Sequence, residues 1–310
     1  MSRVDPINQT KLYGLNKFMN EFIYLNNQNI FPRKILLSGQ KGIGKSTLAY
    51  HYINYVLSKN EKCSYDLDKY EININNSTFR TISNRSNPNL ILIDLVKEKK
   101  SIDINQVRDL ILNLNKSSFN LKPRFVLIDN VEFLNLNSIN ALLKILEEPT
   151  ENTYFILINN NSKRILPTLA SRCVNFKISI SNNESLEISN KLLDGELNKK
   201  INQDIVNYYV TPGFIYNLFK FSEENHYDLQ NFTLEKFLIT LIDDKQYKNN
   251  IFDYIFFDLI EFYFRKIFLS FDNKIISKYE RFIKKISNMK KFNLDEESLF
   301  LELRDEILNG

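Results

Sequence analysis

The sequence predicts an α/β protein: a parallel sheet with flanking helices up to about residue 178, then a small helical lid and an all-α C-terminal domain. Three observations carry this reading. Short apolar runs alternate with helical periods through the first half of the chain. A glycine-rich phosphate-loop pattern joins the first of those runs to the next helix, and strand patterning stops after residue 178. The 310 residues suffice for two or three domains, and the boundaries read as 1–178, 179–223 and 224–310.

The strands are expected at "KILLS" (Lys34–Ser38), "LILID" (Leu90–Asp94), "FVLID" (Phe125–Asp129), "YFILIN" (Tyr154–Asn159) and "VNFKI" (Val174–Ile178). Each is apolar and rich in β-branched residues without strict alternation, which suits strands covered on both faces. Helical segments such as Lys45–Leu57 and Gln106–Leu114 lie between them, as parallel crossovers require. In the helix expected over Ser138–Glu147, Ile139, Leu142, Leu143 and Leu146 fall at i, i+3, i+4 and i+7 and form one apolar stripe. Asn137 is placed to cap its first turn, and Pro149 disfavours helical geometry at Glu148, so the helix stops there. Beyond residue 178 the pattern suggests three short helices broken near Asp194–Gly195 and Thr211–Gly213. From about residue 224 the chain is helical and aromatic, and Phe252, Phe256, Phe257, Phe262 and Phe264 are expected in a helical core and subunit interface.

Composition narrows the class further. Apolar content of 43% and charged content of 25% are ordinary for a soluble globular chain. The net charge of +4 permits contact with nucleic acid without requiring it. The clusters Lys97–Lys100, Lys284–Lys285 and Lys290–Lys291 read as solvated faces. Two cysteines, Cys63 and Cys173, are too few for a four-ligand zinc site, and His51 and His226 do not cluster with them, so no zinc is expected. A disulfide framework is equally unsupported, which fits a reducing cytosol. The N-terminus lacks the apolar core of a signal peptide, and the apolar stretch Tyr254–Ser270 carries Asp258, Glu261, Arg265 and Lys266. Charges so frequent argue for a buried helix over a membrane span, and a cytoplasmic location is expected.

The strongest chemical signal is "LLSGQKGIGKSTLAY". Gly39, Gly44, Lys45 and Ser46 satisfy G-x-x-x-x-G-K-[ST] where a strand ends and a helix begins. Such a loop turns backbone N–H groups toward phosphate oxygens, and the helix N-terminus adds a favourable dipole. Lys45 would reach the β- and γ-phosphates, and Ser46 would ligate Mg²⁺. Gly42, Ile43 and Thr47 complete the nucleotide-contacting run. The second half of such a site is a carboxylate ending another buried strand. Asp94 and Asp129 both qualify by local pattern; Asp129, well downstream, is preferred as the partner of Ser46 for magnesium.

Together with "FVLIDNVEFLNLNSINALLKILEEPTENTYFILINN" and "LPTLASRC", the loop resembles the bacterial clamp-loader ATPases of the AAA+ class, which serve DNA polymerase III. The resemblance covers most of residues 12–178 and extends more weakly through "TPGFIYNLF". It implies an AAA+ domain followed by a lid and a C-terminal collar, with ATP or ADP and Mg²⁺ held at subunit boundaries. It also implies a hetero-oligomer with gamma/tau- and delta-type subunits, which places a sliding clamp on primer–template DNA. By resemblance Arg172, the arginine of "SRC", completes a neighbour's ATP site. The alternative is a salt bridge at the chain's own surface. Asn160 occupies the polar sensor position after the fourth strand, with a turn-forming role as its rival.

Three departures qualify the resemblance. Asn130 stands where hydrolysing relatives carry the Glu that polarises water, and an amide is a poor general base. Gly213 and Phe214 stand where those relatives usually carry a lid arginine, and the zinc-binding cysteines of many relatives are reduced to Cys63. The expectation is a subunit that binds nucleotide, hydrolyses it poorly and lends Arg172 to a neighbour. An autonomous ATPase with an unconventional base such as Glu132, and a scaffold with a vestigial pocket, remain the alternatives.

Overall fold

Three of the five apolar runs form strands that are largely buried, the two at the sheet edges are more exposed, and the sheet they build is wholly parallel. In the computed structural model, which describes residues 5–96, 99, 101–116, 120–206, 209–248, 253–268, 273–292 and 296–308, the strands are β1 (Lys34–Ser38), β2 (Leu90–Ile93), β3 (Arg124–Ile128), β4 (Thr153–Asn159) and β5 (Val174–Lys177). Their order is β2-β3-β4-β1-β5. β1 lies between β4 and β5, with Leu36 opposite Leu157 on one side and Asn175 on the other. Each boundary falls within one residue of its sequence expectation, except that β5 is largely exposed at the sheet edge. Phe252, Lys97, Glu98 and Lys100 lie outside the described residues.

The chain divides into two compact units, Met1–Ile188 with Thr211–Gly213, and Ser189–Val210 with Phe214–Gly310. In the first, α1 (Asn16–Asn27), α2 (Lys45–Ser58), α3 (Ser77–Ser83), α4 (Ile104–Leu114), α5 (Leu136–Glu147) and α6 (Pro167–Ala170) alternate with the strands. Val107, Leu110 and Leu114 of α4 and Ile139, Leu142 and Leu146 of α5 pack with Val126, Ile128, Phe155 and Leu157 of the sheet. Phe22 of α1 and Tyr52 of α2 meet edge to face at 5.4 Å, and Tyr52 in turn meets Phe125 of β3 at 6.1 Å. Aromatic contacts of this kind add to the area term in sheet–helix packing.

Two helix starts differ from expectation, both for reasons of capping. α4 begins two residues before Gln106 because Asp103 and Gln106 form a reciprocal capping box: Asp103 accepts from the Gln106 backbone N–H, and Gln106 accepts from that of Asp103. α5 is capped by Asn135 and not by Asn137. The Asn135 side chain accepts from Ser138 N at 2.9 Å, which draws Asn137 into the helix. The helix ends at Glu147, as Pro149 requires.

After the sheet come α7 (Asn182–Leu192), α8 (Leu197–Lys200), α9 (Gln203–Val206) and α10 (Pro212–Glu224), so the stretch expected to hold three helices holds four among the described residues. The chain does break at Asp194 and Gly195, both with positive φ. It breaks again at Asn202, whose side chain accepts from Asp204 N and splits the middle helix into two single turns. The second unit continues with α11 (Leu234–Asp243), α12 (Asp253–Phe268), α13 (Asn273–Phe292) and α14 (Glu296–Leu303). Its core is aromatic: Phe256 meets Phe300 at 5.0 Å, Phe214 meets Phe262 at 5.4 Å, and Phe264 meets Tyr279 at 4.7 Å. Among the described residues no helix is long and apolar enough to cross a membrane. The charges on α12 pair in part with each other, Arg265 donating to Glu261 one turn away.

A buried histidine ties α2 to segments before and after it in the chain. His51 is fully buried, its Nδ1 2.9 Å from the Tyr65 hydroxyl and its Nε2 3.1 Å from the Gln9 carbonyl. A carbonyl can only accept, so Nε2 carries the proton and Tyr65 donates to Nδ1. Burial holds the imidazole neutral, with its pKa pushed down from 6.5 to about 4. The unfolded chain therefore binds this proton first as the pH falls, and stability drops between pH 6.5 and pH 4. A shift of that size corresponds to roughly 3 kcal/mol at full effect. Urea unfolding from pH 7 to 4 should show that loss, and His51→Gln should flatten the acid limb while lowering stability at pH 7.

Candidate functional site

The phosphate-loop residues meet the end of β3 at the carboxyl edge of the sheet. The loop leaves β1 at Gly39 and enters α2 at Lys45, with Gly42 and Gly44 at φ of +86° and +95°. Only glycine adopts such angles without strain. Gly39 has no room for a side chain, since a Cβ there would stand 2.3 Å from the Ile178 carbonyl oxygen. Gly44 occupies the N-cap of α2 without a side-chain cap, so the first N–H groups of that helix have no capping oxygen from that residue. Ile43 is buried beneath the loop, and Thr47 follows Ser46 in the first turn of α2.

Lys45 is 2% exposed, and its Nζ donates to the carbonyls of Gly39 at 2.9 Å and Gln40 at 2.6 Å. Burial depresses its pKa to about 8, against the attraction of Asp129 and Glu132, which favours the charged form. Ser46 donates to Asp129 Oδ2 at 2.5 Å. Burial also raises the pKa of Asp129, opposed by that hydrogen bond. Two hard oxygens from α2 and β3 thus converge beside a buried ammonium, the donor set that a magnesium-bound polyphosphate requires. Among the described residues no group of three or more His, Cys, Asp or Glu is placed to hold a metal by itself. Cys63 and Cys173 are both free thiols.

Asn130 follows directly and adopts the left-handed conformation, φ +56°, that Asn tolerates better than most residues. Its amide bridges two elements: Nδ2 donates to Asp94 at the end of β2 at 2.7 Å, and Oδ1 accepts from Asn160 at 3.0 Å. Asn160 Nδ2 also lies 3.4 Å from Asp129 Oδ1. The positive φ of that turn is at Asn161, and the Asn160 side chain faces Asp129 and Asn130. Glu132 is buried, and only one of its two carboxylate oxygens has a hydrogen-bond partner, Oε2 having none. Its Oε1 accepts from Asn160 N at 3.0 Å and from Ser162 Oγ at 2.7 Å.

Two residues whose contact with the loop sequence reasoning missed complete its surroundings. Thr211 donates its hydroxyl to the Lys41 carbonyl at 2.9 Å, and Gly213 N donates to the Gly42 carbonyl at 2.9 Å. A Cβ on Gly213 would stand 2.8 Å from Gly42 Cα, so position 213 cannot bear an arginine in this conformation. The "TPG" triplet was legible as a helix break; that it grips the phosphate loop was not.

Arg172 stands just after α6 and is about one third exposed. Its Nη2 and Nε donate to Glu147 Oε1 at 2.6 and 3.2 Å, and its Nη1 donates to the Thr168 carbonyl at 2.9 Å. The structure therefore brings together Gly39, Gly42, Gly44, Lys45, Ser46, Asp129 and Asn160, and pairs Arg172 with Glu147, the salt bridge at the chain's own surface that the sequence left open as the alternative.

A parallel sheet of this order, with a glycine loop on β1 and a carboxylate ending β3, defines a P-loop protein of the AAA+ class. Residues 14–182 match the model of the family described as DNA polymerase III, delta subunit, and the chain belongs to that family of clamp-loader subunits. It is 32% identical over 139 residues to the DNA polymerase III subunit delta' of Pseudomonas aeruginosa, covering 45% of this chain and 40% of that one. Over 157 residues it is 32% identical to the subunit gamma of Buchnera aphidicola subsp. Schizaphis graminum, covering 49% and 39%. The chain thus spans less than half the length of these relatives. A crystal structure of a gamma subunit-related protein from Thermotoga maritima shares the fold at a TM-score of 0.51 and 16% identity, covering 94% of this chain and 96% of that one.

Proposed function

We propose that this chain is a delta'-like subunit of a DNA polymerase III clamp loader, taking part in ATP-dependent loading of a sliding clamp onto primed DNA. Gly39, Gly42, Ile43, Gly44, Lys45, Ser46 and Thr47 hold ATP or ADP, and Ser46 with Asp129 carries its Mg²⁺. The bound nucleotide supplies the polyphosphate charge that these residues answer. Asn160 senses the γ-phosphate. Residues 179–223 act as lid and 224–310 as collar in a cytoplasmic assembly with gamma/tau- and delta-type subunits around primer–template DNA.

The observation that carries this reading is the pairing of an intact phosphate site with an amide where a base is needed. Ser46 and Asp129 meet at 2.5 Å, yet the next residue, Asn130, has its amide engaged by Asp94 and Asn160. Against an autonomous ATPase stands the setting of Glu132, whose Oε1 holds Asn160 N and Ser162 Oγ and whose Oε2 is buried without a hydrogen-bond partner. Against a vestigial pocket stands Lys45, kept ionisable and poised at the loop. Arg172 then acts on a neighbour's nucleotide, where a guanidinium suits the spread charge of a transferring phosphoryl group. The test is ATP turnover by the complex reconstituted with gamma/tau- and delta-type subunits. Arg172→Ala should leave assembly intact and cut turnover about 10³-fold at the dependent site, the range seen for trans-acting arginines. Unchanged turnover would remove the arginine assignment.

A further inference from the structure

We infer that Glu147 is the positioning residue for Arg172, holding the guanidinium so that its remaining donors face outward to a phosphate. The inference rests on the trans role proposed for Arg172 and deepens it. A guanidinium has five N–H groups in a rigid plane. Glu147 Oε1 takes one from Nε and one from Nη2, and the Thr168 carbonyl takes one from Nη1. One N–H on each of Nη1 and Nη2 is left for an acceptor from outside the chain. A pair of terminal N–H groups suits a phosphoryl group whose charge is shared among several oxygens.

The anchor itself is built to stay put. Glu147 is the last residue of α5, where Glu148 leaves helical geometry and Pro149 prevents continuation. A carboxylate at a helix C-terminus faces the negative end of the helix dipole, so it gains from a permanent cation beside it. Thr168 belongs to α6, a single turn started by Pro167. Arg172 therefore spans two elements whose ends are set by prolines. The pair is solvent-accessible, with side-chain exposures of 35% for Arg172 and 55% for Glu147. An exposed ion pair adds little to stability, so its geometry has more consequence than its energy.

The experiment is a double-mutant cycle in the reconstituted loader complex, with kcat and KM for ATP measured separately. Glu147→Ala should lower kcat about tenfold with KM little changed, and Glu147→Asp should recover part of the loss. Arg172→Ala should be no worse when combined with Glu147→Ala. In the free chain, the Arg172 Nε–H should be protected from solvent exchange by nuclear magnetic resonance, and Glu147→Ala should remove the protection. A Glu147→Ala complex with wild-type kcat, or losses that simply add in the double variant, would overturn the positioning role while Arg172→Ala still inactivates. An unprotected Nε–H in the wild-type chain would overturn it as well. If Arg172→Ala itself changes nothing, the fault lies in the trans role and not in the Glu147 anchor.

Discussion

Lys45→Ala should abolish measurable ATP binding by the isolated chain while leaving its fold intact. The wild-type ammonium is buried and satisfied by the Gly39 and Gln40 carbonyls of its own loop. Phosphate oxygens would replace those carbonyls with charge-assisted contacts of about 1.5–3 kcal/mol each. Losing two of them weakens binding about 100-fold or more. The pH dependence gives a second signature. Because the pKa of Lys45 stands at about 8 in the nucleotide-free chain, the ammonium is charged at pH 7 and discharged above pH 8. A bound polyphosphate raises that pKa, so binding above pH 8 must take up a proton. Affinity should be flat in this respect below pH 8 and fall by up to tenfold per unit above it. Isothermal titration with ATP at pH 7, 8 and 9 reads both effects. Equal affinity in Lys45→Ala would contradict the assignment.

Asn130→Glu should fail to create an ATPase, and Asn130→Glu combined with Asp94→Asn should succeed. The wild-type amide of Asn130 donates to Asp94 at 2.7 Å, so a glutamate there would set two carboxylates side by side. Like charges that close raise one pKa and leave the pair sharing a proton, which disables the base. Exchanging the partners restores a neutral donor, now at position 94, for an ionised carboxylate at position 130. A positioned general base contributes about 10²–10⁴-fold, so phosphate release by the double variant should rise on the order of 100-fold over wild type. The left-handed backbone at position 130 disfavours Glu by about 1–2 kcal/mol, which limits the gain without cancelling it. A single variant as active as the double would show that Asp94 does not govern this position.

The parts of the site legible in the sequence were those whose chemistry is local. Gly39, Gly44, Lys45 and Ser46 lie in one octapeptide, and their loop geometry follows from glycine placement alone. The preference for Asp129 over Asp94 rested on its downstream position together with the family resemblance, since both carboxylates end apolar, strand-like runs. What could not be read were the pairings across long separations. Asp94 meets Asn130 across 36 residues, Glu147 meets Arg172 across 25, and Thr211 meets Lys41 across 170. None leaves a periodicity or motif, because each depends on which strand lies beside which. The two misplaced helix starts had a different origin. Asp103–Gln106 is a capping box visible in the letters, and Asn135 competes with Asn137 for one role that only the register of the first turn decides.

The most direct measurement is the fate of ATP on the isolated wild-type chain, followed by rapid filtration and separation of bound nucleotide with the protein in excess. ATP should be captured and still be triphosphate after many minutes, with turnover appearing only at the sites of neighbouring subunits when these are added. Rapid conversion to ADP by the chain alone, stopped by Lys45→Ala, would contradict the proposed function.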